Sequence, residues 1–86
     1  MNKTELNKFL NRGDIKEFIG NDKLMLLFVY DQCPMYIVKE NIGVGFYLQF
    51  DNTRDYSRIK EFVLEAKPIL SKMLEEKRNK ELFAHT

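Results

Sequence analysis

Few side chains in this chain are of the types that perform acid–base or nucleophilic chemistry. The one histidine, His85, is the penultimate residue, whereas a histidine general base needs a fixed position and an orienting neighbour. The one cysteine, Cys33, lies beside Pro34 in a predicted turn, and a reactive thiol needs nearby charge that favours the thiolate. We therefore predict that the chain is not an enzyme.

Two further patterns have a chemical interpretation and a structural one. Asp51 and Asp55 are four residues apart, and paired carboxylates can bind Mg²⁺ or divide acid and base roles. Acidic residues at a helix start are equally explained by capping and by the helix dipole.

Gly43-Val44-Gly45 runs into a strand rather than a helix, so it lacks the amide cradle of a phosphate loop. No zinc spacing is present, and we expect no cofactor or metal.

Length and composition predict one small domain that spans residues 1–86. The 86 residues are 44% hydrophobic and 31% charged, with a net charge of +1. A second core would have too little surface to bury, and so small a net charge does not steer a protein to nucleic acid or to an anionic membrane. A single cysteine excludes an internal disulfide and favours a reducing compartment.

The sequence also suggests where the protein works. No apolar run approaches the roughly 20 residues that cross a bilayer, and the N-terminus lacks the apolar core of a signal peptide. We expect a cytoplasmic protein that makes no membrane contact. Lys, Asn, Glu and Ile are plentiful, as in proteins from AT-rich genomes, including those of many low-GC bacteria and their phages.

Three apolar runs, at residues 24–30, 35–38 and 44–50, predict an antiparallel meander whose second strand extends from 35 to 40. Tight reversals at 31–34 and 41–43 separate them. The first run is apolar throughout, which indicates burial on both faces and the central position in the sheet. The third run alternates: its predicted core set is Val44, Phe46, Leu48 and Phe50, and its predicted outward set is Gly45, Tyr47 and Gln49.

Helical patterns flank the strands and predict an α+β fold. The N-terminal third has apolar residues at the spacing of one or two short helices. A long helix is predicted after 51–53, where three capping residues follow one another. We expect it to kink or break near Pro68, to pack on one sheet face, and to end at 75–86 in a solvated helical extension or frayed tail. Its apolar stripe consists of Ile59, Phe62, Val63, Ala66, Leu70, Met73 and Leu74.

Exposed aromatic and apolar residues predict contact with another protein. Tyrosine is favoured at interfaces, and apolar surface beyond Pro68 is typical of partner or self-association sites. We expect a non-enzymatic module that binds a larger protein, as a phage or mobile-element accessory protein does when it regulates or inhibits a host protein. A homodimer is the alternative partner. The predicted contact residues are Tyr30, Tyr36, Tyr47, Ile69 and Met73.

An alternative function follows from a resemblance. Tyr47-Leu48-Gln49-Phe50 resembles the second half of the RNP1 motif of RNA-recognition domains, and Leu27-Phe28-Val29 resembles the start of their RNP2 motif. In that family, outward aromatics on two neighbouring strands stack on bases. The match is short, and the family's helix between the first two strands has no room here. The resemblance implies RNA or single-stranded DNA binding by Phe28, Tyr47, Arg54, Arg58 and Lys60.

Overall fold

Two short helices, a three-stranded sheet and one long helix follow one another along the chain. The computed structural model describes residues 2–49 and 51–84, so Phe50 and His85 lie outside the described residues. The strand order is β1-β2-β3, and both neighbouring pairs are antiparallel. This confirms the predicted α+β architecture. The elements are α1 (Lys3–Leu10), α2 (Gly13–Gly20), β1 (Met25–Tyr30), β2 (Cys33–Glu40), β3 (Gly43–Leu48) and α3 (Ser57–Ala84).

The two N-terminal helices are held by packing. Each has eight residues, which is too short to persist alone in water. The side-chain oxygen of Asn2 caps α1 by accepting a hydrogen bond from the Glu5 amide at 2.8 Å. Both helices contact α3, and α2 also contacts β1. Their buried side chains are Phe9, Ile15, Phe18 and Ile19.

Phe62 of α3 is the aromatic centre of the core. Its fully buried ring meets Phe9 edge to face, with the centroids 4.7 Å apart, and stacks on Tyr30 at 4.0 Å. The rings of Phe28 and Phe46 lie 6.4 and 6.2 Å away. Aromatic pairs in such geometries add roughly 0.5–1.5 kcal/mol each beyond the area that they bury. Phe62 therefore joins α1, β1 and β3 to α3.

The first reversal is shorter than predicted. Asp31 and Gln32 form it alone, with φ values of +50° and +61°, and Tyr30 pairs with Cys33 directly across it. Positive φ at both central residues is typical of the two-residue hairpin turn whose twist matches the strands. Cys33 and Pro34 therefore belong to β2, and the predicted turn at 31–34 is wrong in its second half.

Pro34 is tolerated in a central strand because another donor replaces its missing amide hydrogen. The Gln49 amide donates to the Pro34 carbonyl at 3.3 Å. The return bond to the Gln49 carbonyl cannot form, since proline has no donor. The Tyr56 hydroxyl donates to that carbonyl instead, at 3.4 Å. Tyr56 thus closes this end of the ladder between β2 and β3.

The central strand is β2, and the prediction that the first apolar run lies at the centre is wrong. β1 is an edge strand. Its residues Met25, Leu27 and Val29 are 54%, 68% and 62% exposed, so the run is not buried on both faces. An unbroken apolar strand is buried on both faces only when other elements cover both faces. Here the packed helices cover one.

α3 begins later than predicted, at Ser57. The Asp55 carboxylate accepts hydrogen bonds from the Ser57 amide and hydroxyl at 2.9 and 2.6 Å, as an N-terminal capping group does. Asp51 instead closes a local turn by accepting from the Thr53 amide and hydroxyl. The predicted start at 51–53 is therefore wrong, because the side chain there stabilises a turn before the helix.

α3 passes through Pro68 without the predicted break. Pro68 and Leu64, one turn earlier, are both exposed, so the Leu64 carbonyl that loses its helical donor lies on the solvent side. Water can hydrogen-bond a carbonyl in that position. The 28 residues of α3 span about 42 Å. The helix therefore extends past the sheet, and the longest dimension of the molecule is 53 Å.

Gly43 is a position where glycine is required for two reasons. Its φ is +96°, and a Cβ there would lie 2.5 Å from Ser71 Oγ of α3. We expect Gly43→Ala to lower the free energy of unfolding by about 1–3 kcal/mol, as measured by urea denaturation. Gly13→Ala is the matched control, because a Cβ at Gly13 meets nothing within 4 Å. Equal free energies of unfolding for the two variants would contradict the close approach of Gly43 to Ser71.

Candidate functional site

The sheet has one face covered by helices and one face open to solvent. Side chains alternate between the two faces along each strand. The covered face carries the buried residues Phe28, Met35, Ile37 and Val44. We call the opposite side the outer face. It consists of Met25, Leu27, Val29, Pro34, Tyr36, Val38, Gly45, Tyr47 and Gln49.

An apolar row crosses the middle of the outer face. Leu27 pairs with Tyr36, and Tyr36 pairs with Tyr47, so the three side chains lie side by side on neighbouring strands. The two tyrosine rings stack, with centroids 5.2 Å apart and an interplanar angle of 13°. Leu27 is 68% and Tyr47 44% exposed. The row therefore presents apolar and aromatic surface that the fold itself does not bury.

One polar contact orients the end of this row. The Tyr47 hydroxyl donates to Glu40 Oε1 at 3.1 Å. This hydrogen bond raises the pKa of the Tyr47 hydroxyl above its ordinary value. Gly45 makes room for the contact, because a Cβ there would lie 2.4 Å from Glu40 Oε1 and 3.1 Å from the Tyr47 ring. The polar edge beside the row is thus acidic.

The size of the outer face can be estimated from sheet geometry. Three strands about 4.8 Å apart and six residues at about 3.3 Å each give a flat area of roughly 300 Å². Patches of roughly 300–600 Å² are the largest on typical monomers and are often functional. The face also contains a shallow depression of about 340 Å³, large enough for a side chain. Its lining residues are Leu27, Pro34, Met35, Tyr36, Leu48 and Gln49.

The structure brings together two of the five predicted protein-contact residues. Tyr36 and Tyr47 lie on the outer face. Tyr30 is half-buried on the covered face, stacked on Phe62, where burial and the nearby Glu5 raise its pKa. Ile69 and Met73 lie on α3: Ile69 is 37% exposed, and Met73 packs partly buried against the core.

Sequence reasoning missed the three β1 residues of the outer face. Met25, Leu27 and Val29 were assigned to the interior because the whole run is apolar. Counting the layers could have found them, since the predicted helices are enough to cover one face of a three-stranded sheet. Apolar residues on the sheet face that the helices leave uncovered then predict an interface.

The predicted nucleic-acid residues do not converge. Phe28 is buried on the covered face, so it cannot share a stacking surface with Tyr47. Arg54 and Arg58 lie near the first turn, each with a guanidinium nitrogen 3.7 Å from the Asp31 carboxylate. Lys60 is exposed on α3. The one lysine of β2, Lys39, points to the covered side, where it lies 4.9 Å from the Phe18 ring.

The residues with catalytic or metal-binding interpretations have structural roles. Cys33 is buried in the core. The pKa values of Asp51 and Asp55 are lowered by the hydrogen bonds that they accept from Thr53 and Ser57. Among the described residues, no group of three or more His, Cys, Asp or Glu side chains could hold a metal ion.

No protein-family model, curated protein or solved structure matches this chain. In the described ranges, 2–49 and 51–84, the helices lack the combination of length and apolarity that a bilayer span requires.

If the outer face is not part of the core, its residues should contribute little to stability. We expect Leu27→Thr, which keeps a β-favouring side chain, to change the free energy of unfolding by less than about 0.5 kcal/mol. Ile37→Ala, on the covered face of the next strand, should cost about 2–5 kcal/mol. Urea denaturation at low protein concentration measures both. A comparable loss in the two variants would show that the outer face is needed for folding.

Proposed function

We propose that this chain is a non-enzymatic protein-binding module whose outer face contacts a larger protein. The observation that supports this most directly is the row of Leu27, Tyr36 and Tyr47, in which Leu27 and Tyr47 are exposed and Tyr36 is half-buried. Interfaces are enriched in aromatic residues and have apolar centres with polar rims. The outer face has this composition, with Glu40 and Gln49 at its edges.

An amphipathic helix is the partner element that fits this face. The face is about 14 Å wide across three strands, and a helix with its side chains is about 10–12 Å in diameter. The other face of the same sheet is already covered by helices. The shallow depression beside Leu27 and Tyr36 would accept one apolar side chain of the partner helix.

The area of the face limits the affinity of a single contact. If the whole flat area of roughly 300 Å² counted as apolar surface, burying it would give about 7.5 kcal/mol at 25 cal/mol per Å², whereas association costs on the order of 4–15 kcal/mol. A stable complex therefore needs further contacts. The surface of α3 near Arg78, which hydrogen-bonds to the Glu40 carbonyl, can provide them.

The setting that we propose is cytoplasmic. The single buried cysteine and the composition fit a reducing compartment. A phage or mobile-element accessory protein that regulates or inhibits a host protein is consistent with the small size and with the Lys-, Asn- and Ile-rich composition.

Binding of RNA or single-stranded DNA is the second candidate. It is favoured by one observation, the exposed stack of Tyr36 and Tyr47, since nucleic-acid bases stack on such rings. It is opposed by the acidic Glu40 next to that stack and by the absence of arginine and lysine from the outer face. Protein binding is therefore the function that we prefer.

Capture from extracts of the source organism with matched variants tests the protein-binding proposal. Leu27→Lys places a charge in the row, whereas Leu64→Lys makes the same change on α3 at a side chain that is 76% exposed. We expect the unmodified chain and Leu64→Lys to recover the same protein in a stoichiometric amount. Recovery by Leu27→Lys should be at least tenfold lower, because a charge in an apolar contact is desolvated without a partner.

Equal recovery by the two lysine variants would show that the outer face is not the contact. Recovery of no stoichiometric protein by the unmodified chain would also contradict the proposal. Circular dichroism of each variant confirms that the fold is retained.

A further inference from the structure

β1 has a free edge with unpaired backbone groups. The Leu24 carbonyl accepts from the Lys39 amide of β2 at 2.9 Å, and Tyr30 pairs with Cys33 across the two-residue turn. In an antiparallel ladder, alternate residues bond to the same neighbour. The amide and carbonyl groups of Met25, Leu27 and Val29 therefore point away from β2. Within the described residues they form no hydrogen bond.

The strand at this edge carries none of the residue types that usually discourage pairing with another strand. Edge strands are usually guarded by charges, proline, bulges or a covering element. Residues 24–30 contain neither charge nor proline nor glycine. The first charged residues are at the two ends, where Lys23 precedes the run and Asp31 follows it. The run is thus symmetric about Leu27, with opposite charges at equal distances.

We propose that the edge pairs with β1 of a second copy of this chain, antiparallel about a two-fold axis at Leu27. In this register Leu27 lies opposite Leu27 of the second copy, and Met25 lies opposite Val29. Lys23 and Asp31 flank β1 (Met25–Tyr30) on either side, so at each end the Lys23 of one copy comes to the same end of the paired strands as the Asp31 of the other. The unpaired amide and carbonyl groups of one β1 edge face those of the other edge, so about six backbone hydrogen bonds form.

Charge selects this register over its neighbours. A shift by two residues keeps the hydrogen-bonding phase, but it moves the Lys23 of each copy away from the Asp31 of the other by two residues along the strand. Both charged side chains already form exposed ion pairs within the chain, Lys23 with Glu17 at 2.6 Å and Asp31 with two arginines at 3.7 Å. Ion pairs on a protein surface contribute little affinity, so the new pairs mainly determine which residues align. The backbone hydrogen bonds and the apolar side chains provide the affinity.

The dimer enlarges the outer face. A two-fold axis perpendicular to the sheet keeps both outer faces on the same side, in one six-stranded sheet. The row of Leu27, Tyr36 and Tyr47 continues into the same row of the second copy. The flat apolar area rises from roughly 300 to roughly 600 Å². The inference extends the proposed function, but dimerisation itself does not require the protein partner.

Sedimentation of the full chain is the first arm of the test. We expect the 10.3 kDa chain to approach twice that mass as its concentration rises from about 5 to about 500 µM. Leu27→Pro removes an amide hydrogen that points to the free edge and leaves the ladder with β2 intact. It should raise the dimer dissociation constant at least tenfold relative to Leu27→Ala, which keeps that hydrogen.

Disulfide trapping is the second arm and reports the register. A cysteine at Leu27 lies opposite its own copy, at a Cα separation of about 5.5 Å, which is within disulfide range. Leu27→Cys should therefore crosslink readily under mild oxidation, whereas Val29→Cys should not. A mixture of Met25→Cys and Val29→Cys should form the mixed dimer. The native Cys33 is 1% exposed, and the unmodified chain is the control for its reactivity.

A monomer at all concentrations would overturn the proposal and leave the β1 edge for a strand of another protein. Crosslinking of Val29→Cys as fast as Leu27→Cys would overturn the register and with it the proposed interface. Outer-face-dependent capture by a chain that sediments as a monomer would retain the proposed function and reject the dimer. A chain that dimerises but captures no protein would retain the dimer and reject the proposed function.

Discussion

The packing of Phe62 against aromatic rings of α1 and of one face of the sheet joins α1 and the strands to the long helix α3. Phe62 contacts Phe9 of α1 and stacks on Tyr30 of β1. α2 buries Ile15 and Phe18 in the same cluster. All three helices bury side chains in this one cluster, so no helix of the described chain covers the other face of the sheet. The exposed row of the outer face is a consequence of this one-sided core.

Two arginines hold the long helix along the sheet. Arg54, just before α3, donates to the Gln32 carbonyl of the first turn at 2.9 Å. Arg78, late in α3, donates to the Glu40 and Asn41 carbonyls of the second turn at 3.2 Å each. Hydrogen bonds from charged donors are stronger than neutral ones. The helix is therefore attached at both hairpin turns, and neither attachment uses the outer face.

The parts of this architecture that local patterns determine were predictable from the sequence. The alternation in the third run gave the correct inward residues Val44, Phe46 and Leu48, and two of the predicted contact residues, Tyr36 and Tyr47, lie stacked on the outer face. The β1 run shows no alternation, so it could not tell which of its side chains point to the helices. Tyr30 was consequently assigned to the exposed set. How many faces of a sheet are covered by helices depends on tertiary packing, and the residue pattern within one strand gives no information about it.

The central claim is that helices cover one face of the sheet and solvent reaches the other. Broadening of methyl NMR signals by a soluble nitroxide tests it most directly, because the effect depends on the distance of each methyl group from solvent. We predict strong broadening for Leu27 and Val29 and little for Ile37 and Val44, which are fully buried. Leu27 and Val29 signals as protected as those of Ile37 would contradict the account.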